Sequence, residues 1–463
     1  MERALAISEQ QLGSEHPDTA AILNNLARVY ESQRKYEEAE PLLERALTIS
    51  EQQLGSEHPT TTAAILNSLA HVYESQGKYG EAEPLLERAL TISERQLGSE
   101  HPNTATSLND LALLYKNQRK YSEAEPLLER ALAISERQLG SEHPHTASNL
   151  DNLAQLYRVQ GKYAQAEPLS VRALAIFEQQ LGAEHPDTAT NRDNLAQLYQ
   201  AQGKYAEAEP LYQQALAICE QQLGVTHSST ASSLNNLAEL YRAAGKYAEA
   251  EPLYMRTLAI YEQQLGAEHP DTAAILNNLA ALYSVQGEYE QAEPLYVRAL
   301  AIYEQQLGTE HPDVAIILYS LAKLYYFQKK YEQAEPLSQR VLAIDIQVYG
   351  TEHIEIATDL DALAHIYYGW GKYAEAKSLY QHALTIYEQQ LGTEHPDTAA
   401  ILNNLAALYQ NQGKYMEAEP LYGRALAIYE QQLGSQHPTT QTIQANYTTL
   451  LVAMKQDEAP DNE

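Results

Sequence analysis

Residues Ala20–Leu54 read AAILNNLARVYESQRKYEEAEPLLERALTISEQQL, and nearly the same words return to the end of the chain. A Leu-Gly pair closes the stretch at Leu54-Gly55 and recurs at Gly13, Gly98, Gly140 and onward to Gly434, with Tyr349-Gly350 in one slot. The spacing is 42 residues each time, and 43 only between Gly55 and Gly98, where Thr60-Thr61-Thr62 carries one extra residue. A fixed period of this size marks a solenoid or an array. Inside the unit, Ile22, Leu23, Leu26, Ala27 and Tyr30 follow helical spacing, as do Ala39, Leu43, Ala46, Leu47 and Leu54. The Gln-Gly-Lys turn, as at Gln76-Gly77-Lys78, separates the two helices, so each unit is helix A, tight turn, helix B. One hairpin cannot stand alone. Ordering it costs about 1–2 kcal/mol per residue in backbone entropy, and about ten buried side chains return only about 1.5–3 kcal/mol apiece. The units must therefore stack.

This periodicity predicts an all-α fold, a right-handed superhelical α-solenoid of antiparallel helix pairs. It overrides the prior of about three globular domains that 463 residues would suggest. One array is expected over 1–455: a half unit at 1–13, ten full units over 14–434 and a capping helix at 435–455. The last helix is more polar, with Gln444, Tyr447 and Thr448 where the first unit has Leu23, Leu26 and Ala27, as a terminal cap requires. The acidic tail 456–463 is expected to be disordered. Eleven glycines follow Leu or Tyr at the end of helix B, where a left-handed C′ residue is expected.

Composition bounds the function classes. Sixty-two acidic residues against 31 basic give a net charge of −31, which argues against nucleic acid and anionic lipid as partners. No apolar run approaches the ~18 residues of a membrane span, and MERALAISEQQLG carries no signal core. The single cysteine, Cys219, permits no intramolecular disulfide, which points to a reducing, cytoplasmic setting.

The pattern Leu23-x2-Leu26-Ala27-x2-Tyr30 followed by Ala39-x3-Leu43 resembles the tetratricopeptide repeat, with Leu for the usual Trp and Ala for Gly. The NNLA, LGxEHPDTA and KYxEAEPLYxRALAIYE words are similar to the longer variant found in kinesin light chains and bacterial multi-repeat proteins. The resemblance covers essentially all of residues 1–455. It implies a protein-binding solenoid whose concave face is lined by helix A, and asparagines similar to those here contact bound peptides in that family.

The repeated polar motifs have chemical and structural readings. The histidines of His-Pro-Asp-Thr, from His16 to His395, would need to converge to hold a metal, whereas stacked units space them in a row. Helix starts explain them better: Pro at N1, and Asp near the positive end of the dipole. Pro41 and its counterparts stand early in helix B, where few amide donors are lost. Glu38 and Glu40 lie i, i+2 and do not face each other. Cys219 fills a slot held elsewhere by Ser50, Ser93, Phe177 or Tyr261, a tolerance unlike that of a nucleophile. An active site is needed once, yet nearly every polar motif here occurs about ten times. No catalysis, cofactor or metal is expected.

Repetition instead builds a long surface. Two columns precede the Leu-Ala pair of helix A: Asn24, Asn67, Asn109, Asp151, Asp193, Asn235, Asn277, Tyr319, Asp361, Asn403; and Asn25, Ser68, Asp110, Asn152, Asn194, Asn236, Asn278, Ser320, Ala362, Asn404. An asparagine ladder offers donors and acceptors to an extended peptide backbone; the other reading is that the amides bond neighbouring helices. Units eight and nine depart most, with Ile316, Tyr319, Lys323, Tyr326 and Phe327, then His365, Tyr368 and Trp370, and with Lys377-Ser378 in place of Glu-Pro. These aromatics form a candidate anchor pocket, against repacked divergence of two repeats. The expected function is a non-enzymatic scaffold, monomeric, binding a protein or peptide in its groove. The alternatives are a sensor or recruitment module for a catalytic domain outside this chain, and a head-to-tail self-assembling solenoid.

Overall fold

The computed structural model describes residues 1–32, 34–58, 61–435 and 437–457. Among them every regular element is an α-helix. A first helix, Glu2–Gln11, precedes ten A–B pairs, beginning with Pro17–Ser32 and Tyr36–Gln53 and ending with Pro396–Asn411 and Tyr415–Leu433. The last helix is Pro438–Asp457. In the second pair helix A is described from Thr61, and Pro59, its expected start, lies outside the described residues. The last helix runs past Met454 to Asp457, and the rest of the expected acidic tail lies outside the described residues.

The chain divides into two compact units, Met1–Glu288 with Ala301–Gly308, and Tyr289–Leu300 with the described residues from Thr309 onward. Each has the same interior. In the first repeat Ala39, Ala46, Leu23, Leu43 and Ile49 are buried with Ile65 and Leu69 of the next helix A. The alanines let the paired helices approach closely, and the leucines and isoleucines fill the space between consecutive pairs. Within the first unit the stack curls far enough for Arg34, in the first A–B turn, to reach Asp271 at 2.5 Å.

The punctuation is firmer than composition suggests. Gly182, closing helix B of repeat 4, has φ 96° and ψ 154°, an extended positive-φ conformation open essentially to glycine and not the left-handed helical one expected. The histidine that follows is itself the cap: His185 accepts the Asp187 amide at Nδ1, 3.1 Å away. The threonine of the same motif ties back, as in Thr188 Oγ1 donating to the Gly182 carbonyl at 2.9 Å. Pro41 is the sixth residue of its helix, so its missing N–H does remove one intrahelical bond. No helix is long and apolar enough to cross a membrane among the described residues.

Candidate functional site

Consecutive repeats are sewn together by side chains at a fixed register. Lysines of the A–B turn reach back to the second glutamate of the preceding helix B: Lys78 to Glu40 at 3.1 Å, Lys162 to Glu125 at 2.7 Å, Lys372 to Glu335 at 3.4 Å. The same carboxylates accept from tyrosines and glutamines, as Glu83 does from Tyr115 at 3.2 Å and Gln118 at 3.4 Å. Each of these three lysines also lies over the tyrosine ring of its own repeat, as Lys120 does at 5.5 Å from the centroid of Tyr115.

The asparagine columns are sewn in the same way. The second column donates to the first column of the preceding repeat: Asn194 to Asp151 at 2.7 Å, Asn236 to Asp193 at 3.4 Å, Asn278 to Asn235 at 3.0 Å and Asn404 to Asp361 at 3.1 Å. Asn67 donates to Asp110 at 2.8 Å, Asn109 bonds to Asn149, and Asn403 donates to Asn404 at 3.4 Å. Asn25 is exposed and Asn152 half-buried. Many of these amides thus hold neighbouring helices, yet Asn24, Asn67, Asn109 and Asn277 each keep one buried oxygen without a hydrogen-bond partner among the described residues. Burial pushes Asp151 up to about 6 and Asp193 up to about 7, against the opposing pull of the amides and hydroxyl that donate to them.

Repeats 8 and 9 are different. Helix A of repeat 8, Pro312–Phe327, and helix A of repeat 9, Ile354–Gly369, enclose a cavity of about 230 Å³. Tyr319, Lys323, Tyr326 and Phe327 stand on one side, Asp361 and His365 on the other, and Ser338 of the intervening helix B lines it too. Its aromatic wall is braced: the Tyr326 ring meets Phe327 at 5.7 Å and Tyr331 at 6.0 Å, both edge-on. Its polar side is fixed by His365, whose Nδ1 lies 2.8 Å from the Asp361 carbonyl and 3.4 Å from its carboxylate. Burial opposes charging of His365, but these acceptors outweigh it and hold the imidazole above its ordinary range. Lys323 is exposed.

The structure therefore brings together Tyr319, Lys323, Tyr326, Phe327 and His365, and leaves three expected members apart. Ile316 is exposed but does not line the cavity, and Tyr368 instead bonds Asn411. Trp370 lines a separate hollow with Lys329 and Lys330, its ring under Lys372 at 3.4 Å. Sequence reasoning missed Ser338. Its slot holds buried Tyr212, Tyr254, Tyr296, Tyr380 and Tyr422 in five other repeats, so the serine leaves open what a tyrosine fills. Repeat 4 also has a serine there, Ser170, but its helix A presents Gln155 and Arg158, bonded to each other at 2.9 Å, in place of an aromatic wall.

Elsewhere the polar interior is structural. Cys219 is buried with its sulfur 3.7 Å from Ser233 Oγ, and burial raises its thiol, which keeps it protonated and unreactive. No group of His, Cys, Asp and Glu suited to a metal occurs among the described residues.

Sequence models of the tetratricopeptide repeat match residues 1–52, 61–137, 113–179, 145–221, 229–305, 271–347 and 313–389, and a second such model matches 398–439. None of the curated proteins matches the chain. Among solved structures, a Podosopora anserina putative kinesin light chain with nearly identical TPR-like repeats is 35% identical, over 45% of this chain and 98% of its own, with a TM-score of 0.39. BtubC (BKLC) from P. vanneervenii is 25% identical over 50% of this chain and 92% of its own, with a TM-score of 0.40. A Rap protein complexed with competence and sporulation factor shares the fold alone, at 14% identity, 80% and 98% coverage, and a TM-score of 0.50. The repeat models run through well over half of the sequence, and the chain belongs to the tetratricopeptide repeat family.

Proposed function

We propose that this chain is a non-enzymatic scaffold that seats an extended segment of a partner protein along the helix A columns and anchors one apolar side chain in the pocket of repeats 8 and 9. Tetratricopeptide repeats generally mediate protein–protein interaction, and scaffolds built from them are generally non-enzymatic. The observation that carries the finer reading is the opened pocket. A half-enclosed space of about 230 Å³ with three aromatic rings is the size and chemistry of a side-chain anchor site. A net charge of −31 disfavours a polyanionic partner such as nucleic acid or an anionic membrane. The chain is read as a monomer in the cytoplasm.

The test is direct. Peptides are selected from a displayed random library on the full chain, and their affinity is measured for the wild type, for S338Y and for the Y319A/Y326A double variant. Both variants should lose most of the binding, with helix content and melting unchanged for S338Y. Unchanged affinity in both removes the pocket from the function.

A further inference from the structure

Two places break the repeat's own ion-pair ladder: Glu288 stands for the turn lysine of repeat 7, and in repeat 9 the acid itself is replaced. In seven places among the described residues a turn lysine bonds the second glutamate of the preceding helix B, at 2.7 to 3.4 Å. Repeat 9 carries Lys377 where that glutamate belongs, in helix B Tyr373–Gln390. The three donors that would surround the carboxylate are all retained by repeat 10. Tyr409 stands where Tyr115 and Tyr325 do, Gln412 where Gln118 does, and Lys414 where Lys120 and Lys330 do.

The substitution also rearranges what remains. Lys377 takes the place over the Tyr409 ring, 5.1 Å from its centroid, a place that each repeat's own lysine fills at Tyr73, Tyr115 and Tyr367. Lys414 is exposed, and it has neither a carboxylate nor a ring partner among the described residues. The Tyr409 hydroxyl and the Gln412 amide have no side-chain partner there either. The repeat register thus gathers two lysines, a tyrosine and a glutamine at the place that a glutamate carboxylate takes in the preceding eight repeats.

We propose that this spot is a recognition site for a carboxylate side chain carried by an acidic segment of a partner protein. The missing occupant defines the ligand: in each of eight repeats, from Glu40 to Glu335, a glutamate carboxylate accepts from at least one of these tyrosine, glutamine and lysine donors, and Glu83 accepts from all three. A second lysine in place of the built-in acid adds charge that an incoming carboxylate would neutralise. Because the chain as a whole repels anions, an acidic segment that binds must do so through a local site of this kind. None of these residues lines the aromatic pocket, so this site and the proposed anchor stand or fall separately.

Zero-length carbodiimide coupling joins a carboxylate to an amine only where the two touch, which suits a weak, exposed site. A biotinylated tetraglutamate peptide is coupled to the full chain at low salt, and the labelled lysines are mapped by mass spectrometry. Lys377 and Lys414 should be labelled in preference to the paired Lys330 and Lys372. K377E restores the repeat's own acid, so it should fold, remove the label from Lys414 by roughly tenfold and leave that on Lys323 unchanged. K377Q, which lowers the charge without filling the spot, should lose roughly 2- to 5-fold. Equal labelling of Lys330 and Lys414, or undiminished label on Lys414 in K377E, overturns the proposal. So does protection of Lys414 by inorganic phosphate at concentrations where acetate gives none, which would make it a phosphate site.

Discussion

Repeats 3 to 6 and repeats 8 to 9 are built from the same 42-residue plan, and the contrast between them separates what holds the solenoid from what it can hold. In the first group the cross-repeat polar side chains find mates in the neighbouring repeat. Ser93 meets Ser107 at 3.1 Å, Ser135 meets Asn149 at 2.6 Å, and Glu209 takes both Lys246 and Tyr241. In the second group the same positions are mismatched. Ser338 stands for a tyrosine, Asp345 and Asp359 face each other where neutral residues sit elsewhere, and Lys377 stands for glutamate. Regular repeats use their polar groups on one another. Irregular ones leave volume and charge over, and that surplus is what a partner can use.

The most severe way to break the contrast is to make repeat 8 regular. S338Y supplies the side chain that five other repeats accommodate fully buried, so the fold should survive. Loss of an anchor pocket of this kind is worth about 2–4 kcal/mol, which predicts a roughly 30- to 1,000-fold weaker Kd for pocket-binding peptides by titration calorimetry. The Y319A/Y326A variant should weaken binding by a similar amount while leaving the cavity larger.

The second prediction makes the buried acids of repeats 8 and 9 resemble Ser93 and Ser107. Burial raises both Asp345 and Asp359 above the ordinary carboxylate value of 3.8, Asp359 further, because Asp345 and Glu355 add repulsion to it. The folded state therefore holds these protons more tightly than the unfolded chain. Their contribution is complete below the ordinary value and is lost as pH rises from about 4 through the folded values. D359N should thus stabilise the chain by about 1–3 kcal/mol at pH 8 and by nothing measurable at pH 4, read from urea midpoints. A gain of equal size at both pH values would show that it does not come from removing a buried charge.

How much of this was legible depends on whether a residue's role is local or relational. Helix pairs and turns follow from the spacing of Leu23, Leu26, Ala39 and Leu43 alone, and those elements stand where the period puts them. Tyr319, Tyr326 and Phe327 were visible as aromatics in polar columns, and they do share a wall. Ser338 was not, because a serine signals nothing until one knows that the tyrosine slot faces the space between two helices A. The columns were visible as a ladder, but not that Asn194, Asn236, Asn278 and Asn404 each reach back 43 positions to a mate. That register depends on how the pairs stack. The histidine caps escaped for a different reason: Pro at N1 and Asp at N2 already explained the helix start, and nothing called for a ring nitrogen as well.

A third prediction sharpens the regular side of the contrast. Asn236 donates to Asp193, which also accepts from Ser233 at 2.9 Å. N236A should destabilise the chain by about 1–2 kcal/mol, because it removes one of the two donors that stabilise this buried carboxylate. It should leave affinity for pocket-binding peptides within a factor of two or so of the wild type. A large loss of affinity with no loss of stability would move Asn236 from the stack to the ligand.

The smallest effect is expected where a regular repeat departs from its own plan. In repeat 3 the A–B turn has Arg119 at φ 57°, while Gly161, Gly203 and Gly245 take φ 71° to 73° in the same turn of the next three repeats. A side chain in that left-handed conformation costs about 1–2 kcal/mol, and glycine gives back part of the gain through the larger entropy of the unfolded chain. Arg119 also has an interaction to lose, so R119G sets that contact against the strain and should move stability by no more than about 1 kcal/mol, seen as a shift in the thermal midpoint without change in m-value. It should also leave tetraglutamate labelling and peptide affinity untouched, because the arginine belongs to neither site. The sign is the informative part. A destabilised R119G would mean that the Arg119 side chain makes bonds worth more than its backbone strain, and the turn would then join repeats 8 and 9 as a place where departure from the plan was kept for what it holds.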